Sequence, residues 1–291
     1  MLKLVIPKGS LERATFDLFE DADLHIRRAS LREYRGSVDD PRIESVAILR
    51  PQEIPTYVEE GFFDLGVTGE DWIAETGAEV VKVAALNYSK QTDNPVRIVL
   101  AVPRDAGITS PEQIKPDARI STEFPNLTRR YFDRLGIPVK VFLSYGATEA
   151  KVPEIVDAIV DLTETGSTLR RNGMEIVDTL LESRTHLIAN PKSYSDPAAR
   201  ASIDELTILL RGALDARGRV LVKLNVDREA LDDVVALLPA MRAPTVSELA
   251  ESGYFAVETV VPKATINTLI PRLKAAGAED IVELPITKIV P

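Results

Sequence analysis

The chain has 291 residues, 45% apolar and 27% charged, with a net charge of −10 and no cysteine. That length can bury one to three domain cores, the acidity argues against a nucleic-acid surface, and the lack of cysteine excludes disulfides, thiol catalysis and thiolate metal sites. No apolar run approaches the ~20 residues of a membrane span, and the opening MLKLVIPKGS reads as strand and turn and not as a secretory signal, so a cytoplasmic protein is expected, with no membrane or nucleic-acid partner.

In chain order, Leu2–Ile6 is strand-like, Pro7-Lys8-Gly9-Ser10 is a turn, and Leu11, Ala14, Leu18 and Phe19 recur at helical spacing. Ser45–Leu49 is a strand, followed by Arg50-Pro51 and a helix over 54–60. Phe63–Val67 is a strand, then Thr68-Gly69-Glu70-Asp71 and a helix through Trp72 and Ile73. The polar stretch LNYSKQTDNP predicts a break at 86–94. Val96–Val102 and Arg119–Thr122 are strands, Pro125-Asn126-Leu127-Thr128 opens a helix, and Val139–Phe142 and Ala158–Leu162 are strands again. This alternation predicts parallel sheets covered by helices, with ligands at the carboxyl ends of the strands. Thr185–Asn190 reads as a strand leading back to the first domain, and SIDELTILLRGAL as a helix. From Arg219 the order becomes strand, helix, loop or short strand, strand, helix, strand, a ferredoxin-like pattern. The second of these elements, DREALDDVVALLPAM, is read as a helix capped by Asp227.

The stretch VDLTETGSTLRRNG carries the sharpest chemical signal. A strand ends at Asp161 and hands over to Thr163, Thr165, Gly166, Ser167 and Thr168, with a helix starting near Leu169. Small residues let a backbone point its N–H groups into one concavity, and hydroxyls add donors, so the loop suits a phosphate. An ordinary capped turn uses the same residues. Lys8-Gly9 suits a cation beside a close backbone approach, or a solvated surface turn. Arg50 could fork onto phosphate, stack on a base or pair with an acid. Glu70 and Asp71 are ordinary at a helix start, and Glu123, Asn126 and Thr128 are equally ambiguous. Asp157 and Asp161 share a strand face but stand roughly 13 Å apart, too far to hold one sugar. Asp161 could accept from ribose hydroxyls or help hold Mg²⁺ on phosphates. His25 and His186 lack metal spacing, and His186 reads as a packed core residue.

DAIVDLTETGSTL resembles the 5-phosphoribosyl-1-pyrophosphate (PRPP) loop of the ATP phosphoribosyltransferase family, long form. PKGSL, ILRPQEIPTYVEEGFFDLGVTGED, ISTEFPNLTRRYF, MRAPTVSEL and AVETVVPK follow the family in order, so the resemblance spans the chain. It implies an α/β fold with a two-domain core like a type II periplasmic binding protein and a C-terminal ferredoxin-like (ACT-like) regulatory domain. The implied division is 1–90 with 181–215, then 91–180 with the PRPP loop, then 216–291. The implied reaction is Mg²⁺-dependent: adenine N1 of ATP displaces pyrophosphate from PRPP, opening histidine biosynthesis under feedback inhibition by histidine. The resemblance further implies AMP as a nucleotide ligand and a homo-hexamer built from dimers.

Carried onto this chain, Glu149, Asp161, Thr163, Thr165, Gly166, Ser167, Thr168 and Leu169 would bind PRPP, and Asp161 would also meet the metal. Lys8, Gly9, Arg50 and Asp71 would bind ATP, with Lys8, Arg50, Asp71 and Asp161 catalytic. Asn225, Asp227, Ala243, Thr245 and Ser247 would bind histidine. Two departures stand out: Ser10 replaces an arginine found in many members, and GATEAKVPEIVDAIVD is one residue shorter than the common pattern and lacks its glycine. A non-catalytic solute receptor is the competing reading, because it shares the core fold; the missing secretory signal and the presence of a histidine-type third domain count against it. A silent regulatory subunit is another; retention of Asp161, Thr165, Gly166 and Thr168 counts against that.

Overall fold

The computed structural model describes residues 1–30, 32–86, 88, 95–239, 243–250 and 253–291. They fall into two compact units, residues 1–20 with 24–207, and residues 21–23 with 208–291. The first unit has two lobes. Lobe one contains β1 (Leu2–Pro7), α1 (Glu12–Asp21), β2 (Ile26–Arg27), β3 (Arg35–Val38), β4 (Ile43–Leu49), α2 (Ile54–Glu59), β5 (Leu65–Gly69), α3 (Glu70–Thr76) and β6 (Val81–Leu86). Lobe two contains β7 (Val96–Pro103), β8 (Ala118–Thr122), α4 (Pro125–Leu135), β9 (Val139–Leu143), β10 (Ala158–Thr163), α5 (Ser167–Arg171) and β11 (Met174–Ser183). The chain then returns through β12 (Thr185–Ala189), α6 (Pro191–Ser195) and α7 (Pro197–Ala216).

The sheet of lobe one runs β2-β3-β4-β1-β5-β12-β6, and that of lobe two β11-β7-β10-β8-β9. In lobe one β1 lies parallel to β4 and β5, whereas β12 is antiparallel to β5 and β6. In lobe two β8 is parallel to β9 and β10, and β7 is antiparallel to β10 and β11. This is the α/β, two-lobed core of the type II periplasmic-binding-protein kind, crossed twice by the chain. Continuous apolar strands form the sheet centres because both faces are covered: Leu4, Val5 and Ile6 in β1, and Ile98 to Val102 in β7, are all 1% exposed or less.

The second unit has β13 (Arg219–Asp227), α8 (Leu231–Leu237), β14 (Thr245–Glu248), β15 (Tyr254–Pro262), α9 (Ile266–Ala275) and β16 (Glu279–Pro285). Its antiparallel sheet runs β14-β15-β13-β16, the ferredoxin-like order. Val220, Val222, Leu224 and Val226 pack with Val234, Leu269 and Leu273, so one sheet face takes both helices.

Asp227 is not the cap of α8: it is the last residue of β13, and its Oδ1 accepts from the Ala230 amide at 2.8 Å, bracing the turn before the helix. The helix starts at Leu231, because a tight turn first reverses the chain. His186 is not simply packed in the core. Its Nε2 lies 3.1 Å from Glu70 Oε2, and burial lowers its pKa. Of the expected break at 86–94, only Leu86 and Tyr88 lie within the described residues. Strands β2, β3, β6 and β11 lie outside the expected strands; β2 and β3 are only two and four residues long, and β11 alternates irregularly.

Candidate active site

Both sheets of the first unit present the carboxyl ends of their parallel strands to one region. In lobe one Pro7 of β1 pairs with Leu49 of β4, and the Lys8 amide donates to Leu49 O at 2.6 Å. That stitching sets Lys8 beside Arg50 at the sheet edge. The Lys8 ammonium lies 3.9 Å from the Tyr34 ring centroid, a cation–π contact. Gly9 has φ of +91°, which a side chain would resist, and its amide donates to Glu12 Oε2 at 3.1 Å.

After β5 the chain turns sharply into α3. Asp71, in the first turn, is only 4% exposed, and its carboxylate folds back over Gly69. A Cβ on Gly69 would lie 1.9 Å from Asp71 Oδ1, so glycine is required here by close approach and not by dihedral, φ being −82°. Ser183 locks the arrangement from the end of β11. Its hydroxyl donates to Asp71 Oδ1 at 2.9 Å and accepts from the Asp71 amide at 3.0 Å. Burial raises the Asp71 pKa, and the Ser183 hydroxyl and backbone amides oppose the rise without cancelling it.

Asp71 faces a cavity of about 280 Å³. Asp161, from β10 of lobe two, lines the same cavity, so the structure brings these two sequence-predicted carboxylates together. Asp161 Oδ1 accepts from the Leu162 amide at 2.7 Å, which fixes one side of its carboxylate. Ser10, Gln52 and Glu123 also line the cavity, as do the two places where the chain passes between lobes: Leu86, Tyr88, Pro95 and Val96 on one passage, Ser183, Arg184 and Thr185 on the other. A wider cleft of about 840 Å³ shares Gln52, Trp72 and Glu123 and adds Arg50, Glu53, Asn126 and Ser144. Lys8, Gly9, Glu149 and the loop 163–169 do not line either of these cavities.

The loop after β10 is built as a tight turn. Thr163 is buried, and its Oγ1 accepts from the Gly166 amide at 2.8 Å, so this hydroxyl braces the loop from within. Gly166 adopts φ of +71° and is the N-cap residue of α5. Leu169 packs its side chain into the core, which leaves only its backbone for a ligand. Thr165 and Thr168 are exposed, and Ser167 is half-buried. Glu149 sits in a short 3-10 turn, Thr148–Lys151.

In the second unit, Ser247 pairs with Ala256, and Ala256 with Asn225, placing a small residue between two polar ones on the sheet face opposite the helices. Asn225 Nδ2 donates to Asp280 Oδ2 at 2.9 Å. Thr245, pairing with Glu258, is exposed, as is Ala243. Asp227 lies on the same face as Asn225, two residues along β13.

Ser183, Arg184, Thr185 and Gln52 were missed in the sequence. The polar triplet Ser183-Arg184-Thr185, set between two strands that enter different sheets, was the available signal. Among the described residues no group of three His, Asp or Glu side chains could cage a metal. A metal carried on ligand phosphates needs only one or two protein carboxylates, and Asp161 is a carboxylate that lines the cavity.

The architecture is that of a two-lobed α/β protein with a carboxylate-lined site where its lobes meet, followed by a ferredoxin-like domain. Residues 50–212 match the family HisG, ATP phosphoribosyltransferase, and residues 216–288 match HisG, C-terminal domain. The ATP phosphoribosyltransferase of Pelotomaculum thermopropionicum is 48% identical over 290 residues, covering 100% of this chain and 99% of that one. That of Pelodictyon phaeoclathratiforme is also 48% identical, with 100% and 98% covered. A solved structure, the ATP phosphoribosyl transferase (HisG:HisZ) complex from Thermotoga maritima, aligns with TM-score 0.63 and 32% identity, over 72% of this chain and 96% of that one. The chain belongs to the ATP phosphoribosyltransferase family, transferases of the first step of histidine biosynthesis.

Proposed function

We propose that this chain joins ATP to PRPP. Adenine N1 donates its lone pair to the anomeric carbon, the bond from that carbon to pyrophosphate breaks, and pyrophosphate leaves with the bonding electrons, giving N1-(5-phosphoribosyl)-ATP. The observation that carries the reading is the convergence of Asp71 and Asp161 on one cavity, in a chain of this family. The charge that develops at an oxocarbenium-like centre calls for carboxylates and positioning more than for a strong base. In this reading Asp161 holds the ribose hydroxyls. Thr165, Gly166, Ser167, Thr168 and the Leu169 amide hold the 5-phosphate on a loop that Thr163 keeps in shape, with Glu149 nearby. Lys8, Gly9 and Arg50 serve the nucleotide and pyrophosphate side, and Asp71 stands by the reacting groups. Mg²⁺, where bound, neutralises the leaving pyrophosphate.

The ferredoxin-like unit is proposed to bind histidine at Asn225, Asp227, Ala243, Thr245 and Ser247 and to inhibit the transferase. The assembly is proposed as a homo-hexamer of dimers, with AMP a further nucleotide ligand and the cytoplasm its compartment. The deciding experiment mixes the protein with ATP, PRPP and Mg²⁺ and follows phosphoribosyl-ATP by absorbance and pyrophosphate by a coupled assay, with and without histidine. Formation of both products in equal amounts, reduced by histidine, is expected. Absence of either product overturns the reading.

A further inference from the structure

Lys151 closes the 3-10 turn of lobe two, and its ammonium is held by hydroxyls. Nζ lies 2.5 Å from Ser144 Oγ and 3.4 Å from Ser121 Oγ, and Ser144 Oγ lies 2.9 Å from Thr148 Oγ1. Ser121, Ser144 and Thr148 are each no more than 2% exposed. Two other half-buried cations of this unit have carboxylate partners: Arg28 has Glu12 at 2.8 Å, and Arg42 has Asp40 at 2.6 Å. Among the described residues no carboxylate lies within 4.0 Å of the Lys151 ammonium. A half-buried cation solvated by neutral hydroxyls keeps its full attraction for an anion, since nothing fixed cancels its charge.

The position is also informative. Ser121 and Ser144 lie at the carboxyl ends of β8 and β9, the edge from which the loop after β10 also springs. Ser144 lines the wider cleft, whose charged lining residues are Arg50 and the carboxylates Glu53, Glu75 and Glu123. On lobe two the wall is therefore hostile to phosphate at Glu123 and receptive at the Ser144 end.

We propose that Lys151, with Ser121, Ser144 and Thr148, forms an oxyanion subsite behind the Ser144 end of the cleft, Ser144 being the one of the four that lines it, and takes a phosphoryl group of a bound substrate. Identification of that group as part of ATP or PRPP rests on the transferase reading; the existence of the subsite does not.

The test is calorimetric titration of the full-length protein with inorganic pyrophosphate and Mg²⁺, comparing wild type, Lys151→Met and Lys151→Arg. Met should weaken binding about tenfold or more, as loss of a charge-assisted contact does, while Arg should retain most of it. In substrate kinetics, Met should raise KM for one substrate by a similar factor with kcat little changed. Equal binding by Met and wild type, or equal losses in Met and Arg, would overturn the subsite. For the wild-type chain, pyridoxal 5′-phosphate followed by borohydride should label Lys151, with pyrophosphate protecting it. No label there, or no protection, overturns the proposal without any mutant. A wild type that binds pyrophosphate through Lys151 yet forms no phosphoribosyl-ATP would sink the transferase reading and leave the subsite standing.

Discussion

Glu75, near the end of α3 in lobe one, accepts the amide of Leu127 at 2.8 Å, in the first turn of α4 in lobe two. Its other carboxylate oxygen accepts the Asn126 amide at 3.0 Å. Helix α4 has Phe124 at its N-cap, with no capping side chain of its own, so a carboxylate from the other lobe satisfies its free amides and its dipole. Trp72 and Phe124 stack beside it with centroids 4.7 Å apart, and Arg130 reaches back to the Ala74 carbonyl. Glu75→Ala should lower stability by about 1.5–3 kcal/mol, the range for charge-assisted hydrogen bonds, visible as a lower urea midpoint. Glu75→Gln should lose less, keeping one acceptor. An unchanged midpoint in the alanine variant would show that the lobes are not pinned there.

Asp71 gives a prediction about pH. Its folded-state pKa is raised by burial, so the folded protein holds this proton to higher pH than the unfolded chain does. Stability from this group is full below the unfolded value and is lost as pH rises through the folded one. Asp71→Asn removes that loss. The melting temperature of the variant minus that of wild type should therefore increase as pH rises from about 4 towards neutral. A flat difference would contradict the buried carboxyl. Transferase activity of the variant should fall over the whole range.

How much of this was readable in advance depends on the range of the interactions. The loop after β10 announced itself because its chemistry is contiguous: Thr163 braces Gly166 three residues on. The buried strands showed as unbroken apolar runs. Ser183 was invisible because its partner Asp71 lies 112 residues away, and Glu75 because the amides it caps lie 51 and 52 residues away. Nothing local distinguishes a solvated helix glutamate from one that caps another lobe. Strand β11 was missed because its residues alternate irregularly and its pairing with β7 slips twice.

If Asp161 holds the ribose, Asp161→Asn should raise KM for PRPP roughly ten- to a hundredfold, the worth of charge-assisted hydrogen bonds of about 1.5–3 kcal/mol. The Asn side chain can still accept from the Leu162 amide, so the strand end should keep its shape. Unchanged PRPP kinetics in a folded variant would remove Asp161 from the ribose site.

Gly166→Val tests the loop. The residue sits at φ of +71°, where a β-branched side chain is strained, and its Cβ would meet Ile176 Cδ1 at 3.0 Å and Arg170 Nη1 at 2.9 Å. The arginine end can move, so a stability cost of about 1–3 kcal/mol is expected, with the fold retained. Thermal protection by PRPP should disappear. Protection equal to that of wild type would place the phosphate cradle elsewhere.

The ferredoxin-like unit carries the last prediction. The face of its sheet opposite the helices presents Thr245 and Ser247 on the edge strand and Asn225 two strands away, with Ala256 as a shallow floor between Ser247 and Asn225. An amino acid with ammonium, carboxylate and ring nitrogens needs several fixed polar groups around such a floor. Asn225 is already oriented by Asp280, whereas Thr245 is exposed on strand β14. Inhibition by histidine requires that it bind one state of the assembly more tightly than another, because equal affinity shifts nothing. Thr245→Ala should therefore weaken histidine inhibition by about 1 kcal/mol, roughly fivefold in the half-inhibitory concentration, with ATP and PRPP kinetics near those of wild type. The same variant should lose a matching part of its thermal stabilisation by histidine, measured with no substrate present. Wild-type values for both quantities would take Thr245 out of the inhibitor site, and a fall in PRPP or ATP kinetics without a change in histidine response would place the residue in the assembly of the enzyme instead.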